Sequence, residues 1–330
     1  MTVKFSIILP VRNGGEFVKE CVQSIQAQSY TDFNCIVLDN KSTDGTPEWI
    51  NSLNDNRITI IPAPASLSIE QNWARILQVE KNEFMTMVGH DDVFAPDYLD
   101  EMAKLISKHP SASLYQAHFR YINEYGNTTR LCYPMDEVQK AHEFLAFQMN
   151  GTIHSTGTGY VMRSADFNAE GGMPTNYTNL IFSDFSLWTR LAMKSYKATS
   201  LRECFSYREH MSVSRTTNGE QYASAFHEYV RFMHMLKGQS EEFATVIERY
   251  GYSFLMQMCE SLAHRLLKTP PERRSTSVAS LIEQFKSYAQ LLLPHAVFDP
   301  LSVPRIRYAQ WLDRSAVTRN SFRWIKKWMN

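Results

Sequence analysis

Two carboxylates stand side by side at Asp91 and Asp92, two residues past the apolar run FMTMV. Like charges in adjacent positions cost free energy unless a cation answers them or each reaches solvent. The residue types alone leave two readings open. One is a solvated turn that opens the next helix; the other is a hard divalent cation held by oxygen ligands. A further carboxylate, Asp184, falls in the first turn of SDFSLWTRLAMKS, where the helix dipole favours an acid in any case.

The elements that must position these groups follow from the hydrophobic pattern. KFSIILP is a continuous apolar run, as a strand covered on both faces would be. EFVKECVQSIQAQS places Phe17, Val18, Cys21, Val22 and Ile25 on one helical face. NCIVLDN, RITIIP and FMTMV read as further strands. TPEWINSL reads as a helix capped by Thr46 with Pro47 at its first position, and SIEQNWARILQV as one opened by a Ser68–Gln71 capping box. Strands alternating with helices at this spacing predict a doubly wound, mostly parallel α/β sheet. Ligands bind such sheets beyond the carboxyl ends of the strands. Pro10, Asp39 and the Asp91–Asp92 pair all stand at such ends.

SASLYQAHFRYI, GTGYVMR and ATSLRECFSYREH read as later strands. From about Glu220 the pattern changes to long helices, with a boundary near the TTNG of residues 216–219. This predicts one domain over 1–216 and a helical C-terminal subdomain over 217–330.

The chain has 330 residues, with 34 Lys and Arg against 34 Asp and Glu, so its overall charge offers no argument for nucleic acid. Five scattered cysteines form no C-x-x-C pair and no disulfide framework. The N-terminal apolar run is too short for a signal peptide core, and no run of about 18 apolar residues exists. The expected location is the cytoplasm, including the inner face of the membrane.

ILPVRNGGEFVKECVQSIQAQSYTDFNCIVLDNKSTDGT resembles the start of the inverting family 2 glycosyltransferases, in the order of its strand ending in Pro, its helix ending in Q-S-Y and its Asp-rich turn. The resemblance covers the first hundred residues and continues more weakly to about Arg215. It implies a GT-A fold and a nucleotide-sugar donor. Pro10 and Val11 would line the nucleoside pocket, and Asp39 would bond the base or ribose. Asn40 stands where many relatives carry a second Asp, and Arg75 of the following helix would approach the nucleotide.

In that family the strand matching FMTMV ends in Asp-x-Asp, which holds Mn²⁺ or Mg²⁺ on the donor diphosphate. Here the motif reads Gly89-His90-Asp91-Asp92, so its first acid is replaced by Gly89. Asp91 becomes the expected metal ligand, with His90 and Asp92 on the donor side. Relatives carry an E-D-x-x-L-W-x-R helix start whose Asp is the general base. This chain has Ser183-Asp184, which assigns Asp184 that role by resemblance. In YREHMSVSRT, His210 is an expected metal ligand, and Arg208 and Arg215 are expected phosphate partners.

RNSFRWIKKWMN combines Trp with Arg and Lys and suits an anionic membrane surface through residues 319–328. The reading that follows is a metal-dependent inverting glycosyltransferase, a hexosyl- or N-acetylhexosaminyl-transferase. It would move a sugar, from a UDP-sugar by expectation, to a hydroxyl of a glycan or lipid-linked acceptor in bacterial surface polysaccharide synthesis. Two alternatives remain at this point: a degenerate relative serving as a binding or scaffold subunit, since Gly89, Asn40 and Ser183 each replace a common family acid, or a nucleotidyltransferase-like enzyme.

Overall fold

The computed structural model describes residues 3–152, 155–209 and 216–328. The chain divides into two compact units. One comprises Met1–Phe144, Thr152–Thr175 and Ser183–Ser212; the other comprises Leu145–Gly151, Asn176–Phe182 and Val213–Asn330.

The first unit is an α/β layer structure. Its elements run β1 (Phe5–Val11), α1 (Gly15–Gln26), β2 (Phe33–Asp39), α2 (Thr46–Ser52), β3 (Ile58–Pro62), α3 (Ile69–Ala74), β4 (Phe84–Met87), β5 (Val93–Phe94) and α4 (Tyr98–Lys108). They continue with β6 (Leu114–Ile122), β7 (Thr128–Leu131), β8 (Val138–Gln139), α5 (Ala141–Asn150, whose residues from Leu145 belong to the other unit), β9 (Tyr160–Arg163), α6 (Ser164–Ala169), α7 (Ser183–Lys194) and β10 (Lys197–Arg208). Every residue of β1 is buried, as its unbroken apolar run requires. The Ser68–Gln71 capping box forms as expected. The cap of α2 is Gly45, with φ +83, rather than Thr46, because the Asp44 carboxylate already accepts from the Thr46 amide at 3.1 Å.

The sheet order is β3-β2-β1-β4-β9-β6-β10-β5, with β7 on β6 and β8 on β10. Strands β3, β2, β1 and β4 pair parallel, and β6 pairs parallel with β10. β9 lies between β4 and β6, antiparallel to both. This reversal turns a parallel sheet into a mixed one and decides what reaches the active edge. The carboxyl ends of β1, β2, β4 and β10 share one edge, and the reversed β9 brings its amino end, with the loop before it, to the same place.

Pro10 fits this core without losing a ladder bond. Ile8 accepts from Val88 on the β4 side, and Val11 accepts from Asn40 on the β2 side. Pro10 therefore faces β4 again, but the last β1–β4 pair is Ile8–Met87. Its missing N–H lies past the end of that ladder.

The second unit is built on helices Gly219–Gln239, Glu241–Lys268, Val278–Leu292, Pro304–Asp313 and Ala316–Trp328. An aromatic cluster fills its core, with Phe226 stacked on Phe285 at 5.3 Å and Phe182 on Tyr229 at 5.2 Å. All five cysteines are buried and unpaired with one another. Among the described residues no helix is long and apolar enough to cross a membrane.

Candidate active site

The acidic turn begins where β4 stops. Residues 88–92 close on themselves, with the Asp92 amide donating to the Gly89 carbonyl at 3.1 Å. Below the turn, the buried Cys21 thiol of α1 points at the same carbonyl, 3.5 Å away, and burial raises its pKa well above the ordinary thiol value. The two adjacent carboxylates have different surroundings. Asp92 is 2% exposed, accepts from the Thr158 hydroxyl through Oδ2 at 2.5 Å, and accepts from the Arg208 amide through Oδ1 at 3.0 Å. Burial, then the neighbouring Asp91 charge, push its pKa well up. Asp92 thus ties the β4 end to β9 and β10. It was expected on the donor side, but the fold itself uses both of its oxygens. Asp91 is half-buried at the tip of the turn, beside the half-buried His90.

Gly89 has a steric reason. A side chain there would start 2.6 Å from Oδ1 of Asp91 and 3.1 Å from Oδ2 of Asp92. The Asp91 carboxylate therefore folds back over the bare Cα and takes the space that an acid at position 89 would use.

Arg208, expected to meet phosphate, is instead a buried clamp. Its Nε donates to the Asp91 carbonyl at 2.8 Å, Nη1 to the carbonyls of Asn123 at 3.0 Å and Glu124 at 3.3 Å, and Nη2 to the Glu20 carboxylate. The guanidinium lies 4.7 Å from the centre of the Phe17 ring. Four of its five N–H donors bond the protein and the side chain is fully buried, so the guanidinium is not presented to solvent.

The loop before β9 joins the acidic turn to α7. Trp188 of α7 donates to the Thr156 carbonyl at 2.9 Å and stacks on Tyr160 at 4.5 Å. The Thr156 hydroxyl bonds the Thr158 carbonyl at 2.7 Å, and Thr158 bonds Asp92. Gly159 has φ +79, and any Cβ there would meet the Phe205 ring at 2.5 Å, so only glycine fits. Gly157 adjoins Asp184: a methyl group on it would lie 3.9 Å from Oδ2. Consecutive residues of one loop therefore lie near Asp184 and bond Asp92. Burial raises the pKa of Asp184 to about 6, against the lowering pull of the Phe185 amide and its own. Tyr207 of β10 has its phenol pKa raised by burial and then by the charges of Asp92, Asp91 and Asp184. Ser183, which stands where relatives carry Glu, donates its hydroxyl to the Pro174 carbonyl at 2.5 Å and closes the loop before α7.

At the β1 and β2 ends the polar groups bind each other. Asp39 is buried and accepts from the Ser42 amide at 3.2 Å. Val11 is its register partner, with Pro10 opposite Leu38. Asn40 was expected at the donor. Its side chain instead donates to the Leu67 carbonyl at 2.9 Å and accepts from the Leu67 amide at 2.8 Å, a reciprocal pair that a carboxylate cannot form. Arg75, also expected at the donor, donates to the Asp39 carbonyl at 3.1 Å, the Ile61 carbonyl at 2.6 Å and the Asn72 side chain at 2.9 Å. It pins the ends of β2 and β3 to α3. His210 and Arg215 lie outside the described residues.

The donor set can be tested against a divalent ion. Among the described residues, no group of three His, Cys, Asp or Glu side chains could cage a metal. An ion that keeps its waters and shares a diphosphate needs only one or two protein carboxylates, and Asp91 at the turn tip fits that open kind of site.

Comparisons with known proteins bear on this geometry. Residues 6–169 match the family described as Glycosyl transferase family 2. The chain is 21% identical over 224 residues to the putative teichuronic acid biosynthesis glycosyltransferase TuaG of Bacillus subtilis, covering 67% of this chain and 83% of that one. It spans less than half the length of other curated relatives, 43% and 31% for two of them. Its fold is similar to S. aureus TarS residues 1–349 in complex with UDP-GlcNAc, with TM-score 0.62, 14% identity and coverage of 94% and 92%. It is also similar to the mannosyltransferase PcManGT of Pyrobaculum calidifontis in complex with GDP-Man and Mn²⁺, with TM-score 0.53, 14% identity and coverage of 99% and 88%. With this sheet, this strand-end turn and the match over residues 6–169, the chain belongs to the family 2 glycosyltransferases and has their GT-A fold.

Proposed function

We propose that the protein transfers a sugar from a nucleotide-sugar donor, a UDP-sugar, to a hydroxyl of a glycan or lipid-linked saccharide, with inversion at the anomeric carbon. The observation that carries this reading is the loop of residues 156–159. Its Gly157 lies near Asp184, a carboxylate of raised pKa, and its Thr158 bonds Asp92 of the acidic turn, which supports placing the base and the turn at one site. A base with pKa about 6 is deprotonated at neutral pH yet basic enough to take a hydroxyl proton as the bond forms.

In the mechanism, Asp184 accepts the proton of the acceptor hydroxyl, whose oxygen attacks the anomeric carbon from the face opposite the diphosphate. Gly157 leaves its side of Asp184 open to a sugar ring. Asp39, with Pro10 and Val11, contacts the nucleoside. Asp91, with His90 beside it and His210 as a second ligand, would hold Mn²⁺ or Mg²⁺, which neutralises charge on the leaving diphosphate when bound. Asp92, Arg208 and Glu20 act indirectly, by fixing the backbone that carries Asp91. TuaG, named for teichuronic acid biosynthesis, supports a place in surface polysaccharide synthesis.

The three replaced family acids have local structural reasons: Gly89 makes room for Asp91, Asn40 clamps Leu67, and Ser183 closes on Pro174. These reasons favour an enzyme over a degenerate scaffold. The test is nucleoside diphosphate release from a panel of UDP-, GDP- and dTDP-sugars with Mn²⁺. Turnover of one donor class supports the reading; no release from any donor overturns it.

A further inference from the structure

The chain is neutral overall, but its charge is not evenly spread. Residues 304–330 hold seven Lys and Arg and one acid, Asp313, a net of +6, which leaves −6 on the preceding 303 residues. That one acid is turned inward. Asp313 takes Arg274 at 2.6 Å, Arg319 at 3.0 Å and the Val278 amide at 2.7 Å, and its side chain is 3% exposed.

Helix Pro304–Asp313 buries Ile306, Ala309 and Leu312 along one stripe. The opposite stripe, at spacings of three and four residues, is Arg307, Tyr308, Trp311 and Arg314, all exposed. Tyr308 and Trp311 are each half exposed and stack on one another at 6.0 Å. The next helix, Ala316–Trp328, is anchored through the Thr318 hydroxyl on the Leu312 carbonyl at 2.7 Å and the Arg319–Asp313 pair. It exposes Val317 at 75% and Trp324 at 64%.

We propose that these two helices form a docking face for an anionic lipid surface. The basic charge complements acidic headgroups, and exposed Trp, Tyr and Val carbon suits the headgroup boundary. The stacked Tyr308–Trp311 pair already occupies its inner ring faces, which suits insertion between headgroups better than stacking on nucleic-acid bases. The proposal goes beyond the transfer reaction and reads out independently of it.

The test is co-sedimentation of the full chain with phosphatidylcholine vesicles, with and without phosphatidylglycerol, at low and high salt. Arg307→Gln with Arg314→Gln, and Tyr308→Ser with Trp311→Ser, are the variants, each checked for unchanged thermal unfolding. The expected result is binding only to phosphatidylglycerol vesicles, about thirtyfold weaker in the arginine pair and also reduced in the aromatic pair. Absence of vesicle binding, equal binding to both vesicle types, unchanged binding by the variants, or displacement from vesicles by single-stranded RNA would each overturn the proposal. None of these outcomes would touch the nucleotide-release result.

Discussion

Thr158 donates its hydroxyl hydrogen to Oδ2 of Asp92 across 2.5 Å, joining the loop before β9 to the turn after β4. The bond exists because β9 runs against β4, which brings the start of one strand to the end of the other. Removing it with Thr158→Val leaves a buried carboxylate oxygen short of a partner, a cost of about 1–3 kcal/mol. Thermal unfolding should fall accordingly, while Thr158→Ser stays near wild type. Equal unfolding of all three proteins would show that the bond positions nothing.

Asp184→Asn should have two opposite effects. Nucleoside diphosphate release should drop by about 10²–10⁴-fold, the range for a lost general base. Stability should rise. The folded pKa, about 6, lies above that of the unfolded chain, so the folded state holds more protons between about pH 4 and 6. Stability is therefore lost as pH rises through that window, and Asn removes the loss, a gain of up to about 3 kcal/mol at pH 7. Wild-type turnover should fall as pH drops below about 6, where the base becomes protonated. A variant with wild-type turnover, or a pH profile flat through 6, would count against the assignment.

Asn40→Asp restores the acid that many relatives carry, and should harm this chain. The carboxylate cannot donate to the Leu67 carbonyl, and it places a second charge beside buried Asp39. The expected loss is about 1–3 kcal/mol in chemical denaturation. An unchanged midpoint would mean that the Leu67 pair contributes little.

Gly159→Ala should be among the most damaging single changes. It puts a Cβ at a φ of +79 and drives it 2.5 Å from the Phe205 ring. The prediction is a loss of about 3 kcal/mol or more, read as unfolding midpoint. A loss comparable to an ordinary surface substitution would show that the loop can relax.

Much of this was legible in the sequence because it depends on local pattern. The apolar run of β1, the Ser68–Gln71 cap and the first-turn placement of Asp184 are properties of neighbouring residues. Residues whose roles depend on distant partners were not legible. Arg208 sits in a motif that suggests phosphate, yet its partners are Glu20, 188 residues away, and the carbonyl of Asp91. Asn40 and Arg75 were expected at the ligand, but they answer backbone groups that no pattern identifies. Thr158 carried only the weak signal of a small polar residue between two glycines before a strand. The reversal of β9 was likewise hidden, since a strand's direction is set by its pairing and not by its own composition.

The account turns on whether Asp91 faces a metal-bound nucleotide. The direct measurement is thermal unfolding of wild type and Asp91→Asn with UDP and UDP-GlcNAc, each with and without Mn²⁺. At a hundred times its dissociation constant a ligand stabilises the fold by about 2.7 kcal/mol. The predicted result is a nucleotide shift that requires Mn²⁺ in wild type and is lost in Asp91→Asn. A nucleotide shift of the same size without metal, or one retained by Asp91→Asn, would contradict it.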